Sequence, residues 1–338
     1  MMIERLAVMF VLAAAASSLV TLGWIRYARA RQIEDQPGRR RLHENPTPRG
    51  GGIAIALVLL LALAWISQNL PDSPGLPGLA AGIALFAALG LIDDLFPIAA
   101  IGKFTLQLAA GSVMIVAMTQ GWGLGWAVAI ALIVACCYVV NIWNFMDGSN
   151  GMISVQALLI ALALGFWPDQ PAALRLCAFA LAGACAGFLP FNLPAARVFL
   201  GDVGSHALGA AVFGLLLLAW HAGTISPAQA LLMGSVVLMD SGYTLARRAL
   251  AGRPVWRAHR EHLYQYAVRQ GHSHAKVCLF YAAATCLTIA LAAVGPKYRL
   301  ESGMWGLLFT SWLIGALVYY RLRRNWLQPG TGRARRDD

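Results

Sequence analysis

Residues 79–97 read LAAGIALFAALGLIDDLFP: fourteen small or apolar residues without a charge, then two adjacent aspartates, Asp93 and Asp94. As a helix, a run of this length rises ~28 Å at ~1.5 Å per residue, close to the ~30 Å hydrocarbon core of a bilayer. It therefore reads as a membrane span with charge at one end. Working outward, eleven such spans are expected, at about 6–25, 51–70, 79–97, 104–119, 124–143, 152–167, 172–190, 205–220, 227–248, 275–294 and 303–320. Turn-forming stretches separate them, such as PDSPGLPG at 71–78, WPDQP at 167–171 and VGPKYRLESG at 294–303. The expected fold is an all-α, polytopic integral membrane protein. There is no fixed-period repeat and no loop long enough for a soluble domain. Residues 1–338 are expected to form a single transmembrane catalytic domain, its site built from loops at about 26–50, 93–103, 141–151, 191–205 and 249–274.

Composition agrees. The 338 residues are 59% hydrophobic and 12% charged, against ~25% charged in soluble domains, which excludes an ordinary soluble enzyme and a disordered chain. Cys136, Cys137, Cys177, Cys185, Cys278 and Cys286 all lie in apolar runs without a CxxC, so they read as buried hydrophobes. Arg5 is offset by Glu4, and the first apolar run continues to Ile25 before Arg26, Arg29 and Arg31. That pattern fits a first span better than a cleaved leader. On an eleven-span topology, 22 of the 26 lysines and arginines fall on one side. The expected orientation puts the N-terminus outside and the C-terminus in the cytoplasm. The net charge of +11 then speaks for membrane lipids as partners and not for nucleic acid.

The scarce acids are more informative. Asp93, Asp94, Asp147 and Asp202 come from three distant segments and all fall at the cytoplasmic face. Carboxylates at a bilayer edge are costly without a partner or a task, so a converging site is expected. Lys103 follows the aspartate pair, where the next helix can return it toward a bound phosphate, although a polar turn would also account for GLIDDLFPIAAIGK at 90–103. In NIWNFMDGSNGM at 141–152, Asn141, Asn144 and Asp147 recur every third residue and form one stripe on a helix. Such a stripe can coordinate a hard cation and hydrogen-bond a nucleobase, or pair amides between helices. Asp202 lies in the glycine turn of FNLPAARVFLGDVGSHALG, 191–209, a natural magnesium ligand at a helix start that favours anions. Phe199 stands near enough to stack on a base. In the basic loop 247–265, His259 and His262 share a helical face beside Arg257 and Arg260, which suits phosphate binding and proton handling. Asp240, within the ninth span, is expected to support the site.

These motifs resemble those of the polyprenyl-phosphate N-acetylhexosamine-1-phosphate transferase family (MraY/WecA-type, glycosyltransferase family 4). The resemblance runs through RRLHENPTPRGGGIAI (40–55), GLIDDLFPIAAIGK, NIWNFMDGSNG, NLPAARVFLGDVGS and HREHLYQ (259–265), in the family's order over about 225 residues. It implies transfer of a sugar-1-phosphate from a UDP-sugar to undecaprenyl phosphate, with release of UMP, at the cytoplasmic face of the bacterial inner membrane. It implies Mg²⁺ as cofactor, with Mn²⁺ as an alternative ion. Carried over by motif, Asp93, Asp94 and His262 become the catalytic candidates, one of the aspartates as a base for the lipid phosphate. Asp202 and Asn144 match metal positions, Asp147, Asn192 and Phe199 the uridine pocket, and Lys103, His259 and Arg260 the phosphate and sugar side. Some members carry an aspartate where this chain has Asn150, and the histidine cluster is often denser than HREHLYQ. The form resembles enzymes that start O-antigen or other surface polysaccharides, which implies an N-acetylhexosamine or 6-deoxy donor and admits a homodimer. The rival class is a transporter coupled to cations through carboxylates, which predicts midplane acids and related halves.

Overall fold

A computed structural model describes residues 2–35, 46–96, 98–255, 259–294 and 301–327. Within these residues the chain forms helices α1 (Met2–Ala30), α2 (Ile53–Asn69), α3 (Gly75–Leu95), α4 (Ala100–Met118), α5 (Trp126–Phe145) and α6 (Met152–Phe166). They are followed by α7 (Ala172–Asn192), α8 (Gly201–His221), α9 (Pro227–Leu250), α10 (Leu263–Arg269), α11 (His274–Val294) and α12 (Glu301–Leu327). Two-residue strands β1 (Glu34–Asp35) and β2 (Thr47–Pro48) pair antiparallel before α2. The protein is a polytopic membrane protein: eight helices are long and apolar enough to cross a bilayer, and α2 and α6 are shorter apolar helices.

Each of the eleven expected spans is a helix, although α9 is not among those apolar enough to count as a membrane span, and among the described residues α10 is the one helix that periodicity did not give. With seven residues, it is too short to carry a periodic signal. Helix ends moved where charge is involved. α8 begins at Gly201 rather than near 205, and α4 begins at Ala100 rather than 104, so Asp202 and Lys103 stand in first turns. α5 runs on to Phe145, which makes Asn144 helical and leaves Asp147 beyond the helix. The expected three-residue stripe is therefore split between a helix and a turn.

α7 and α8 form the centre and the other helices surround them. About 78% of the spanning window of each is buried, against 17% for α12 and 22% for α1. The outer helices turn Leu12, Val116, Ile130, Leu287, Phe309 and Leu317 outward. In a bilayer those side chains meet acyl chains, and helix association has to come from close packing and hydrogen bonds. α1 on α7 does this through Gly183 and Gly187, where a Cβ would lie 2.4 Å from the carbonyl oxygen of Phe10 and 2.1 Å from that of Ala14. Ser17 and Ser18 then donate to the carbonyls of Ala184 and Gly187 at 2.7 and 2.9 Å. At the bundle end away from the acidic segments, Arg175 donates to the carbonyls of Gly165, Trp167 and Gln170 at 3.2, 2.9 and 3.1 Å. That cation is consumed by the α6–α7 turn.

Candidate active site

The acidic segments converge at one end of the bundle. α3 brings Asp93 and Asp94 in its last turn, and α8 brings Asp202 in its first. The two helices approach so closely that a Cβ on Gly90 would lie 2.2 Å from the Asp202 carbonyl oxygen. Gly201, at φ +76°, turns the chain into α8 in the left-handed region that a side chain disfavours. The approach to that turn is pinned from the other side. Phe199 N–H donates to the carbonyl of Pro48 at 2.7 Å, and Gly51 and Gly52 donate to those of Phe199 and Leu200 at 2.8 Å each. Phe199 is half-buried on this rigid segment.

The paired aspartates have separate tasks. Asp94, its side chain 1% exposed, accepts from the backbone N–H groups of Asp202 and Val203 at 3.0 and 3.1 Å and from Arg49. It caps α8, and all its partners are structural. Asp93 accepts from the Ile98 N–H at 2.7 Å and from Lys103 Nζ at 2.6 Å. Lys103 Nζ lies equally close, 2.6 Å, to Asp202 Oδ2. An ammonium thus already sits between two carboxylates of the site. Of the pair, Asp93 is the one that meets Lys103.

Asn144 donates through Nδ2 to Ser205 Oγ at 3.0 Å, and Ser205 donates to the Asp202 carbonyl at 3.3 Å. That bond uses the amide nitrogen and leaves its oxygen as an acceptor. Among the described residues no cluster of three or more His, Cys, Asp or Glu could hold a metal. An oxygen-only set of one carboxylate and one amide suits a hard cation that retains waters, as Mg²⁺ does, so the residues fit that ion. Asn141 donates to Gln107 Oε1 at 2.7 Å, the amide pairing between helices that the sequence left open beside a cation or base.

The turn 146–151 carries Asp147, half-buried. Burial pushes its carboxyl well above the usual carboxylate range, and the charges of Asp202 and Asp94 add to this. That favours the protonated form, which can donate as well as accept a hydrogen bond. Asn192 braces the turn: its Oδ1 accepts from the Gly151 N–H and its Nδ2 donates to the Val198 carbonyl at 2.8 Å. Expected to line a nucleotide pocket, Asn192 joins the two turns that would form its walls. Asn150 Nδ2 donates to the Pro194 carbonyl at 3.2 Å, and His274 Nδ1 lies 3.0 Å from Ser149 Oγ.

The basic segment is docked onto this turn by α10. Tyr264 donates to the Phe145 carbonyl at 3.0 Å, and the His262 ring stacks 6.3 Å from that of Phe145. Asp240 holds the start of α10 by accepting from the N–H groups of Leu263 and Tyr264 at 2.8 and 3.3 Å and from the Tyr281 hydroxyl at 2.6 Å. His259 and His262 lie 4.8 Å apart between ring centroids. The buried Nδ1 of His259 lacks a hydrogen-bond partner, which a bound anion or sugar hydroxyl would supply, whereas His262 Nδ1 faces Asp240 Oδ1 at 3.8 Å. Burial, with the nearby His262 and Arg248, drops His259 to about 4, leaving it neutral at pH 7. Glu261 collects Arg247 and Arg248, with Arg253 Nη1 at 3.3 Å. Burial raises its carboxyl, but the Arg247 hydrogen bond and the three arginines outweigh that and lower it to about 2. The Arg260 carbonyl accepts from Arg269 at 2.7 Å. Arg257 lies outside the described residues.

Sequence reasoning missed Arg49, Gln107, Ser205, His206, Tyr264 and Tyr281. Gln107 and His206 had a readable signal, being polar residues inside apolar helices. Arg49 had none beyond its place before three glycines.

The geometry brings acidic segments and a basic loop together at one end of a membrane-spanning bundle. Comparison with known proteins agrees. The sequence profile of glycosyl transferase family 4 matches residues 76–220. The chain is 32% identical to the decaprenyl-phosphate N-acetylglucosaminephosphotransferase of Mycolicibacterium smegmatis, over 79% of this chain and 77% of that one. It is 27% identical to the undecaprenyl-phosphate alpha-N-acetylglucosaminyl 1-phosphate transferase of Escherichia coli O157:H7, over 87% and 84%. The chain belongs to glycosyl transferase family 4.

Proposed function

We propose that this enzyme transfers an N-acetylhexosamine-1-phosphate from its UDP-sugar to undecaprenyl phosphate, releasing UMP and starting a surface polysaccharide such as O-antigen. The relatives' names make UDP-N-acetylglucosamine the first donor to test. The observation that carries the reading is Lys103 held between Asp93 and Asp202, 2.6 Å from each. The charge imbalance of the loops supports a cytoplasmic site and a cytoplasmic C-terminus.

In the reaction an oxygen of the lipid phosphate attacks the sugar-bearing phosphorus of the donor. The pyrophosphate bond breaks, and UMP leaves with its electron pair. Such transfer depends mainly on positioning and charge neutralisation. Asp202 and Asn144 would hold Mg²⁺, which supplies charge neutralisation at the pyrophosphate. Lys103 orients phosphate oxygens, and Asp93 accepts a proton from the lipid phosphate if it arrives protonated. Asp147 meets the uracil edge by hydrogen bonding and Phe199 stacks on its face. His259, neutral at pH 7, and His262 bind the sugar and its phosphate beside Arg260. Membranes containing the protein should convert undecaprenyl phosphate and sugar-labelled UDP-N-acetylglucosamine to labelled lipid. Labelled lipid formed only from another UDP-sugar in a donor panel would replace the donor and keep the reaction. No labelled lipid from any donor would overturn the proposal.

A further inference from the structure

Lys103, Asn144 and Asp202 stand on three different helices, and one turn deeper on each helix is a polar residue outside the machinery just described. Gln107 follows Lys103 by four positions on α4, Asn141 precedes Asn144 by three on α5, and His206 follows Asp202 by four on α8. These spacings put each pair on one helix face. Gln107 and His206 are both 0% exposed, and the three side chains bond to one another.

Their directions can be assigned from the partners. Asn141 Nδ2 donates to the Cys137 carbonyl at 2.8 Å, and a carbonyl can only accept, so the amide orientation is set. The same Nδ2 donates to Gln107 Oε1 at 2.7 Å. Gln107 Nε2 then faces His206 Nε2 at 3.1 Å, and an amide nitrogen can only donate, so His206 Nε2 carries no proton. On its other side His206 Nδ1 lies 2.7 Å from the Asp202 carbonyl oxygen, so Nδ1 is the protonated atom. Gln107 and Asn141 pair in both directions, since Gln107 Nε2 also donates to Asn141 Oδ1 at 3.4 Å, and the neutral His206 ring carries donation on to the Asp202 carbonyl. Backbone packing leaves the helices little room to slide: a Cβ on Gly209 would lie 2.8 Å from Val140 Cα, and Cys137 Sγ reaches the Gln107 carbonyl at 3.3 Å.

Polar groups in such a core are costly unless all are satisfied, and apolar residues would fill the same space without direction. We propose that Gln107, Asn141 and His206 are positioning residues, a hydrogen-bonded tier that sets the register of α4, α5 and α8 and thereby the spacing of Lys103, Asn144 and Asp202. The importance to turnover rests on the transferase reading above; the effect on register does not.

The full-length enzyme tests both. His206→Leu alone would leave Gln107 Nε2 with only its long 3.4 Å bond to Asn141 Oδ1 and confound stability with function. The Gln107→Leu/His206→Leu pair removes both partners while Asn141 keeps the Cys137 carbonyl. Its melting temperature should stay near that of wild type, with kcat lowered about tenfold and donor KM within about threefold. A folded pair with wild-type kcat would overturn the proposal. If the pair does not fold, Gln107→Leu is the arm to read: kcat about fivefold down at unchanged donor KM supports the tier, and unchanged kcat overturns it. Spin labels at the exposed positions Thr105 and Arg197 give a readout that needs no donor. The label-to-label distance distribution should broaden in whichever variant folds, and an unchanged distribution would overturn the proposal even if wild type turned over no donor.

Discussion

Two helices of this protein begin on a carboxylate that belongs to another helix. α8 begins on Asp94 of α3, and α10 begins on Asp240 of α9, each accepting from two of the first-turn N–H groups that an isolated helix leaves open. The remaining partners differ. Asp94 is paired with Arg49, a permanent cation, whereas Asp240 takes the Tyr281 hydroxyl and lies 3.8 Å from His262 Nδ1. The first arrangement presents Asp202 to the acidic half of the site. The second presents His259 and His262 to the basic half. One device therefore fixes both halves, and the choice of counter-group decides what it costs to disturb each.

The largest effect should come from the group the first cap presents. Asp202→Asn is expected to lower kcat by about 10³-fold or more, as losses of central charge stabilisation do, with the melting temperature little changed. Near-wild-type turnover would break the assignment. The caps themselves should separate by stability. Asp94→Asn leaves Arg49 facing a neutral amide and should cost about 3–5 kcal/mol. Asp240→Asn keeps an acceptor for the Tyr281 hydroxyl and should cost about 1–3 kcal/mol. Unfolding in mild detergent measures both, and equal losses would remove the distinction drawn here. Tyr281→Phe should cost about 1 kcal/mol, the worth of one hydrogen bond.

The smallest effect concerns pH. Glu261 is lowered from its ordinary 4.5 to about 2, so its contribution is present above 4.5 and fades as pH falls toward 2. The stability difference between wild type and Glu261→Gln should shrink over that window. A difference that stays constant would mean that the arginines do not depend on this carboxylate.

Much of the fold was legible because apolar length is a strong signal. Eleven runs gave eleven helices, even where α2 and α6 are short. The ends were less legible, because they depend on partners far along the chain. Nothing near residue 201 says that Asp94 will satisfy the first N–H groups of α8, so the helix starts earlier than its apolar run. The same holds for α10, whose seven residues are stabilised by Asp240 and by Tyr264 reaching Phe145. At the site, residue types and motif order pointed to Asp93, Lys103 and Asp202, which the structure brings together. They could not tell a capping aspartate from one beside a lysine, since Asp93 and Asp94 are neighbours and differ only in which way each faces. For Asn141 and Asn192 residue type left the partner open, since an amide suits a base or a neighbouring polar group equally well; the structure gives them Gln107 and Cys137, and Gly151 and Val198.

The central claim is that phosphorus moves with the sugar. UDP-N-acetylglucosamine labelled on its sugar-proximal phosphorus, given to the purified enzyme with undecaprenyl phosphate, separates this from simple glycosyl transfer. The account predicts that the label passes into the organic phase in step with the release of UMP. Lipid-linked sugar formed while the label stays in the aqueous phase as UDP would contradict it.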